Sequence, residues 1–100
     1  MIYEVRAKFI TDRKSEFMAR LASGNIRGQQ PDGEEIHAAM QRAVIGDDGY
    51  VIWSEVCYCA SPLRHERETV YDSYFTDMTT ARIDQHREYE GRSFMDYLAG

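Results

Sequence analysis

The amino-acid sequence predicts an α+β fold of the ferredoxin-like type, with an antiparallel sheet, two helices on one face and a short C-terminal helix. Three observations predict it: an alternating N-terminal segment, a hairpin signal near the middle of the chain, and two helical stretches that separate the strands in the order β-α-β-β-α-β. One hundred residues is the size of one compact domain with one core. We therefore expect a single domain over residues 1–100.

The first strand and the first helix differ in the spacing of their apolar residues. Apolar and polar residues alternate over residues 2–10, which is the pattern of a strand with one buried face. Thr11 or Asp12 then offers a helix N-cap, and Gly24 offers a C-terminal stop after an apolar stripe of helical spacing. A strand followed by a helix is predicted for the first quarter of the chain.

The next segment combines a helix-start signal with a hairpin signal. Asp32 and Glu35 have the spacing of a capping box, whereas MQRAVI runs directly towards the turn signal Asp48-Gly49 and a β-rich segment. We predict a loop from Asn25 and then a short helical turn over about residues 32–38. A strand over about residues 39–46 follows, and its hairpin partner spans about residues 50–59.

The last third of the chain predicts a helix, a strand and a final helix. Ser61-Pro62 marks a helix start, because proline suits the first helical position, and the apolar stripe that follows predicts a helix over about residues 62–75. The β-branched segment MTTARI predicts a short strand. Ser93 and Asp96 have capping-box spacing and predict the start of the last helix.

The whole chain resembles the dimeric α+β-barrel proteins in length, in the order of its elements and in the passage YFTDMTTARID. That group includes cofactor-independent monooxygenases of antibiotic biosynthesis and the muconolactone isomerases. The chain also resembles a narrower group of small bacterial proteins that share the runs RAVI, WSEVCYC and PLRHERETVYD, for which the resemblance supplies no activity. The resemblance implies a fold of the dimeric α+β-barrel type and a homodimer, and it supplies no catalytic motif.

Composition and charge exclude several classes of function. No segment approaches the ~20 apolar residues of a membrane span, and the N-terminus lacks the apolar core of a signal peptide, so a cytoplasmic protein without a membrane partner is expected. The net charge is −5, and only the first thirty residues carry more basic than acidic groups. Nucleic-acid binding requires a concentrated basic face, so we expect no nucleic-acid partner.

The predicted hairpin carries a mixed aromatic and charged face. Pairing across the Asp48-Gly49 turn sets Arg42 opposite Glu55 and puts both on one face with Trp53, away from the helices and beside Arg6 of the first strand. One hypothesis is a dimer interface with an Arg42–Glu55 ion pair. The other is a pocket for a small organic or anionic molecule that these four residues line.

The stretch CYCASPLRHERETVYD contains the thiols and the histidine that could do chemistry. Cys57 and Cys59 would lie roughly 6 to 7 Å apart on a regular strand, and His65 with Glu68 would complete an irregular ligand set. The spacing lacks two separated ligand pairs, so neither a metal nor another cofactor is expected. Cys59 precedes a helix N-terminus and is the better candidate for a reactive or ligand-binding thiol.

Two functional hypotheses follow from these candidates. The first is a small-molecule enzyme or ligand-binding protein of the dimeric-barrel type, with His65 and Glu55 as catalytic residues and with Arg42, Trp53, Arg6 and Cys59 as ligand-binding residues. The alternative is a non-catalytic, homo-oligomeric interaction module whose sheet face and tyrosines serve assembly alone.

Overall fold

Strand β1 (Ile2–Phe9) lies inside a five-stranded antiparallel sheet in a computed structural model that describes all 100 residues. The strand order is β4-β1-β3-β2-β5, which is consistent with a ferredoxin-like α+β fold and confirms the predicted fold class. A short fifth strand, absent from the prediction, extends the sheet beyond β2. The bounds of the other strands are β2 (Val44–Ile45), β3 (Tyr50–Val56), β4 (Phe75–Ile83) and β5 (Arg92–Ser93).

Four helices accompany the sheet. They are α1 (Lys14–Ser23), α2 (Gly33–Arg42), α3 (Arg64–Thr69) and α4 (Phe94–Ala99), with 3-10 turns at Thr11–Arg13 and Tyr71–Ser73. The apolar residues of α1, α2 and α4 join those of the strands and connecting segments in one cluster of 21 buried side chains. None of the four helices combines the length and the hydropathy that a membrane crossing requires.

Several predicted element ends are confirmed. Gly24 follows α1 in the left-handed region, at a φ of 83°, where glycine pays no steric penalty. The Ser93 hydroxyl accepts a hydrogen bond from the Asp96 N–H and caps α4 as the spacing predicted. The second predicted helix is shorter than expected: Leu63 is left-handed at a φ of 58°, so α3 begins only at residue 64.

Helix α2 is longer, and strand β2 shorter, than predicted. The expected strand over residues 39–46 is wrong, because helix α2 continues to Arg42 and leaves only two residues for β2. The apolar residues of this segment recur at helical spacing and are almost completely buried, which favours the helix over an alternating strand. They are Ile36, Ala39, Met40 and Ala43.

The pairing of β1 with β3 overturns the predicted sheet faces. Val5 pairs with Trp53 and Tyr3 pairs with Glu55, so Trp53 and Glu55 share the inner face of the sheet with Val5. Both side chains are 0% exposed. The prediction that they lie on the outer face with Arg6 is wrong, because the alternation within β3 defines two faces but does not say which one meets the helices.

The outer face of the sheet is partly covered by residues 84–91 of the same chain. Arg87 and the Tyr89 hydroxyl both donate hydrogen bonds to the Glu4 carboxylate, and His86 Nδ1 lies 2.8 Å from Ser54 Oγ. Ser54 is buried beneath this segment although it lies on the outer face. The surface that this face offers to a partner is therefore smaller than the strands alone would give.

Candidate functional site

A cavity of about 460 Å³ opens where the end of β3 meets the starts of α2 and α3. Its polar groups are three carboxylates, two thiols, one imidazole and one phenol, and neither lysine nor arginine lines it. The lining residues are Pro31, Asp32, Glu35, Val56, Cys57, Tyr58, Cys59, His65 and Glu66. A concave site with a few convergent polar groups is the usual form of a small-molecule site in proteins.

His65 and Asp32 form an ion pair in the cavity wall. His65 Nδ1 lies 2.5 Å from Asp32 Oδ2, and the side chains are 40% and 12% exposed. The hydrogen bond to Asp32 raises the pKa of His65 above its ordinary value, because the carboxylate stabilises the imidazolium. The other ring nitrogen, Nε2, has no hydrogen-bond partner in the protein. His65 therefore has a free position for proton transfer, and Asp32 holds the ring.

Gln29 and Thr69 position this pair. Gln29 Nε2 donates to Asp32 Oδ1 at 2.9 Å and to the Thr69 hydroxyl at 2.8 Å. The Thr69 hydroxyl in turn donates to the carbonyl of His65 at 2.7 Å. These bonds join the loop before α2 to helix α3, so the carboxylate and the imidazole are held from both elements.

The two predicted capping-box side chains both serve the cavity instead. Asp32 stands at the N-cap of α2, but its side chain makes no capping bond and pairs with His65. Glu35 accepts the backbone N–H of Val56 at 2.8 Å and a hydrogen bond from Arg42 at 3.2 Å. Both carboxylates are thereby fixed in the cavity wall.

Cys57, Cys59 and Glu66 form a second cluster in the same cavity. Glu66 Oε1 lies 3.7 Å from the Cys57 sulfur and 3.4 Å from the Cys59 sulfur. Glu66 is 1% exposed and takes part in no salt bridge within 4.0 Å with lysine or arginine. Burial raises the pKa of the Cys57 thiol to about 12, so this thiol is protonated when it has no other partner.

The buried face of α3 and its flanking residues contains one glutamate, Glu66. Leu63, Glu66 and Val70 lie at i, i+3 and i+7 and are all buried, so Glu66 belongs to the apolar stripe of the helix. Glu68, which the sequence grouped with His65, instead pairs with Arg64 at 3.3 Å on the exposed surface. The ligand set with Glu68, which the sequence analysis considered and did not expect to bind a metal, does not form, and the carboxylate that faces inward is that of Glu66.

The six predicted site residues fall into three groups. The first group lies at the cavity: His65 and Cys59 line it, and Arg42 lies behind its wall, where it donates to Glu35 and to the Ser54 carbonyl. Arg6 lies elsewhere, in an exposed pair with Asp48 at 3.2 Å. The expected Arg42–Glu55 ion pair is absent, because Arg42 belongs to α2.

Trp53 and Glu55, the third group, are buried in the core and do not line the cavity. Trp53 Nε1 and the Tyr71 hydroxyl both donate to Glu55 Oε1, at 2.9 and 2.5 Å. Burial raises the pKa of Glu55 to about 8, which makes it a neutral acid at pH 7. Its other oxygen, Oε2, is buried without a partner.

Comparison of the chain with protein-family models, curated proteins and solved structures finds no match. The resemblance to the dimeric α+β-barrel proteins therefore stays a prediction.

Replacing Asp32 with asparagine is expected to lower the pKa of His65 towards the ordinary value of about 6.5. The amide cannot stabilise the imidazolium as the carboxylate does, and that hydrogen bond is the main cause of the raised value. An NMR titration of the imidazole resonances measures the change. Glu68→Gln is the matched control, since Glu68 acts on His65 only through space and its loss is expected to lower the pKa much less. Equal shifts in the two variants would contradict the pairing.

Proposed function

We propose that this domain binds a small organic molecule in the cavity and exchanges a proton with it through the His65–Asp32 pair. The observation that supports this most is the pair itself, in which a largely buried carboxylate holds one imidazole nitrogen and leaves the other free. In such pairs the carboxylate fixes the ring and stabilises its protonated form. The domain is thus proposed to be a small-molecule enzyme or ligand-binding protein.

The lining of the cavity favours an uncharged or cationic ligand over a strongly anionic one. Asp32, Glu35 and Glu66 contribute carboxylates, whereas the imidazolium of His65 is the one cationic group. Pro31 and Val56 supply apolar surface, and Tyr58, which is 89% exposed, stands at the rim. An aromatic or aliphatic molecule with a single hydrogen-bond acceptor for His65 fits this distribution of charge.

The raised pKa of His65 favours its protonated form, so its proposed role is first that of a proton donor. The free Nε2–H donates to an acceptor atom of the bound molecule, and the imidazole that remains keeps its orientation through Asp32. Above its pKa, the same nitrogen acts as a base. Gln29 and Thr69 hold the geometry through either state, because their bonds go to the other carboxylate oxygen and to the backbone.

A thermal-shift screen with neutral, cationic and anionic aromatic compounds tests this proposal. A compound that binds only the folded state raises the melting temperature, and we expect His65→Ala to remove that rise. Arg6→Ala is the control, since Arg6 is an exposed residue outside the cavity and its loss is expected to leave the rise unchanged. A compound that stabilises wild type and His65→Ala equally would contradict the proposal, as would the absence of any stabilising compound.

The homodimer is a separate proposal, supported by the free edge of strand β4. This nine-residue strand pairs only with β1, so its other edge presents unpaired backbone N–H and C=O groups. Edges of this kind pair readily with a second chain. Sedimentation velocity of the full chain tests the proposal: a dimer supports it, and also permits the alternative of an interaction module, whereas a monomer at all concentrations rejects both.

A further inference from the structure

We propose that Cys57, Cys59 and Glu66 form a binding site for a divalent transition-metal ion, with Zn²⁺ as the expected occupant. Thiolate and carboxylate ligands together suit zinc, whereas the hard cations magnesium and calcium prefer oxygen alone. The proposal goes beyond the proton-transfer function, because it uses three side chains that the His65–Asp32 pair does not include.

The distances between the candidate ligands match those around one tetrahedral zinc ion. Bonds of about 2.3 Å to sulfur and about 2.0 Å to oxygen at the tetrahedral angle place a sulfur and an oxygen about 3.5 Å apart. Glu66 Oε1 lies 3.7 Å from one sulfur and 3.4 Å from the other, and all three ligand atoms lie within 4.8 Å of one another. The regular-strand spacing that argued against a metal does not apply, because β3 ends at Val56.

The burial of Glu66 supplies an independent argument. This carboxylate is 1% exposed, and its partners in the structure are the two thiols alone. A buried carboxylate without a cationic partner is costly, so such groups are generally paired or bound to metal. The imidazole of His65 lies within 4.8 Å of it, but Nδ1 of that ring is already taken by Asp32. A divalent metal ion would give the carboxylate a cationic partner and would neutralise part of the charge of the thiolates.

The backbone orients the side chain of Cys57. The N–H of Cys59 donates to the Cys57 sulfur at 3.3 Å. Outer contacts of this kind orient metal ligands and adjust their basicity. When each sulfur–metal bond forms, the thiol loses its proton to the solvent, so the affinity for the metal must rise with pH.

The cluster has the ligand number of a catalytic rather than a structural zinc site. Structural sites take four protein ligands, whereas catalytic sites take three and leave one position open. All three ligands line the cavity, and a ring nitrogen of His65 and an Asp32 oxygen also lie within 4.8 Å of a Glu66 oxygen. The open position therefore lies in the cavity that contains the acid–base pair.

Titration of the reduced, metal-free full chain with Co²⁺ tests the site. One equivalent per chain is expected to produce thiolate-to-cobalt charge-transfer absorption, and Zn²⁺ is expected to displace it. Cys59→Ser is expected to lower the cobalt affinity by at least about 100-fold, and Glu66→Gln by at least about tenfold. Loss of a residue that only supports a metal ligand already lowers metal affinity by about 10- to 100-fold. Glu68→Gln, the same change two residues away on the exposed surface, is expected to leave the affinity unchanged.

Three results would overturn the proposal: no charge-transfer absorption in the wild-type protein, an unchanged affinity in Glu66→Gln, or an equal loss in Glu68→Gln. Far-ultraviolet circular dichroism identifies any variant that fails to fold, and Glu66→Gln keeps the shape of the side chain. The outcome is separable from that of the ligand screen, because His65→Ala is expected to remove the response to the organic compound and to leave the charge-transfer absorption.

Discussion

Replacing Glu55 with glutamine is expected to make the domain more stable at pH 9 by on the order of 4 kcal/mol in the free energy of unfolding. Burial raises the pKa of Glu55 to about 8, whereas the unfolded chain has a value near 4.5. The folded state therefore keeps a proton that the unfolded state releases, and this contribution to stability is lost as the pH rises from about 4.5 to about 8. Glutamine carries no ionisable proton and keeps the Oε1 acceptor for Trp53 and Tyr71.

Urea unfolding at pH 5, 7 and 9 measures this effect. We expect the two proteins to differ by less than about 1 kcal/mol at pH 5, where Glu55 is neutral, and to diverge as the pH rises. Glu34→Gln is the matched control, because it makes the same substitution on the exposed surface of α2. The stability of this variant is expected to follow the wild-type pH profile. Parallel profiles for wild type and Glu55→Gln would mean that Glu55 is ionised in the folded protein.

Replacing Gly33 with alanine is expected to lower the free energy of unfolding by about 3 kcal/mol and to weaken the His65–Asp32 pair. A Cβ atom at this position would lie 2.2 Å from the carbonyl oxygen of Ile26 and 2.7 Å from that of Arg27. Both contacts are to backbone, so the loop and the start of α2 must separate. Because Asp32 precedes Gly33, that movement carries the carboxylate away from its histidine.

Chemical denaturation measures the loss of stability, and the NMR titration of His65 measures the effect on the pair. Gly28→Ala is the control in the same loop, since its Cβ would lie 3.2 Å from the Gly24 oxygen, and we expect a change within about 1 kcal/mol. Equal stability of the two alanine variants would contradict the close approach of α2 to this loop.

The sequence predicted those elements whose ends are marked by local chemistry. The alternation of β1, the Gly24 stop and the Ser93 cap each involve residues within a few positions of one another, and each is found in the structure. The extent of α2 was predictable in principle, because its buried residues recur at helical spacing. The nearby hairpin signal led instead to a strand over residues 39–46.

The face on which Trp53 and Glu55 lie could not be predicted from the same pattern. It depends on the register of β3 against β1, which joins residues about fifty positions apart. The charge of Glu55 suggested an outward position, yet a carboxyl group that keeps its proton can be buried when Trp53 and Tyr71 donate to it. This long-range pairing moved two of the predicted site residues into the core.

The sequence predicted only some of the residues of the candidate site. His65 and Cys59 were predicted and line the cavity, whereas Asp32 was assigned to a helix cap and Glu66 was assigned no role in the site. The available signal for Glu66 was its spacing of i+3 from Leu63 on an apolar stripe, where a carboxylate is unusual. No signal pointed to Asp32, because its pairing with His65 requires the loop before α2 to fold against α3.

We propose that this protein binds its ligand in the cavity beside His65. The most direct test is a series of ¹⁵N–¹H NMR spectra recorded as the strongest compound from the thermal-shift screen is added to the full chain. We predict that the largest amide shifts occur in Asp32, Glu35 and residues 56–59 and 65–66, which line the cavity. Largest shifts on the outer sheet face, around Arg6 and Ser54, would contradict the account.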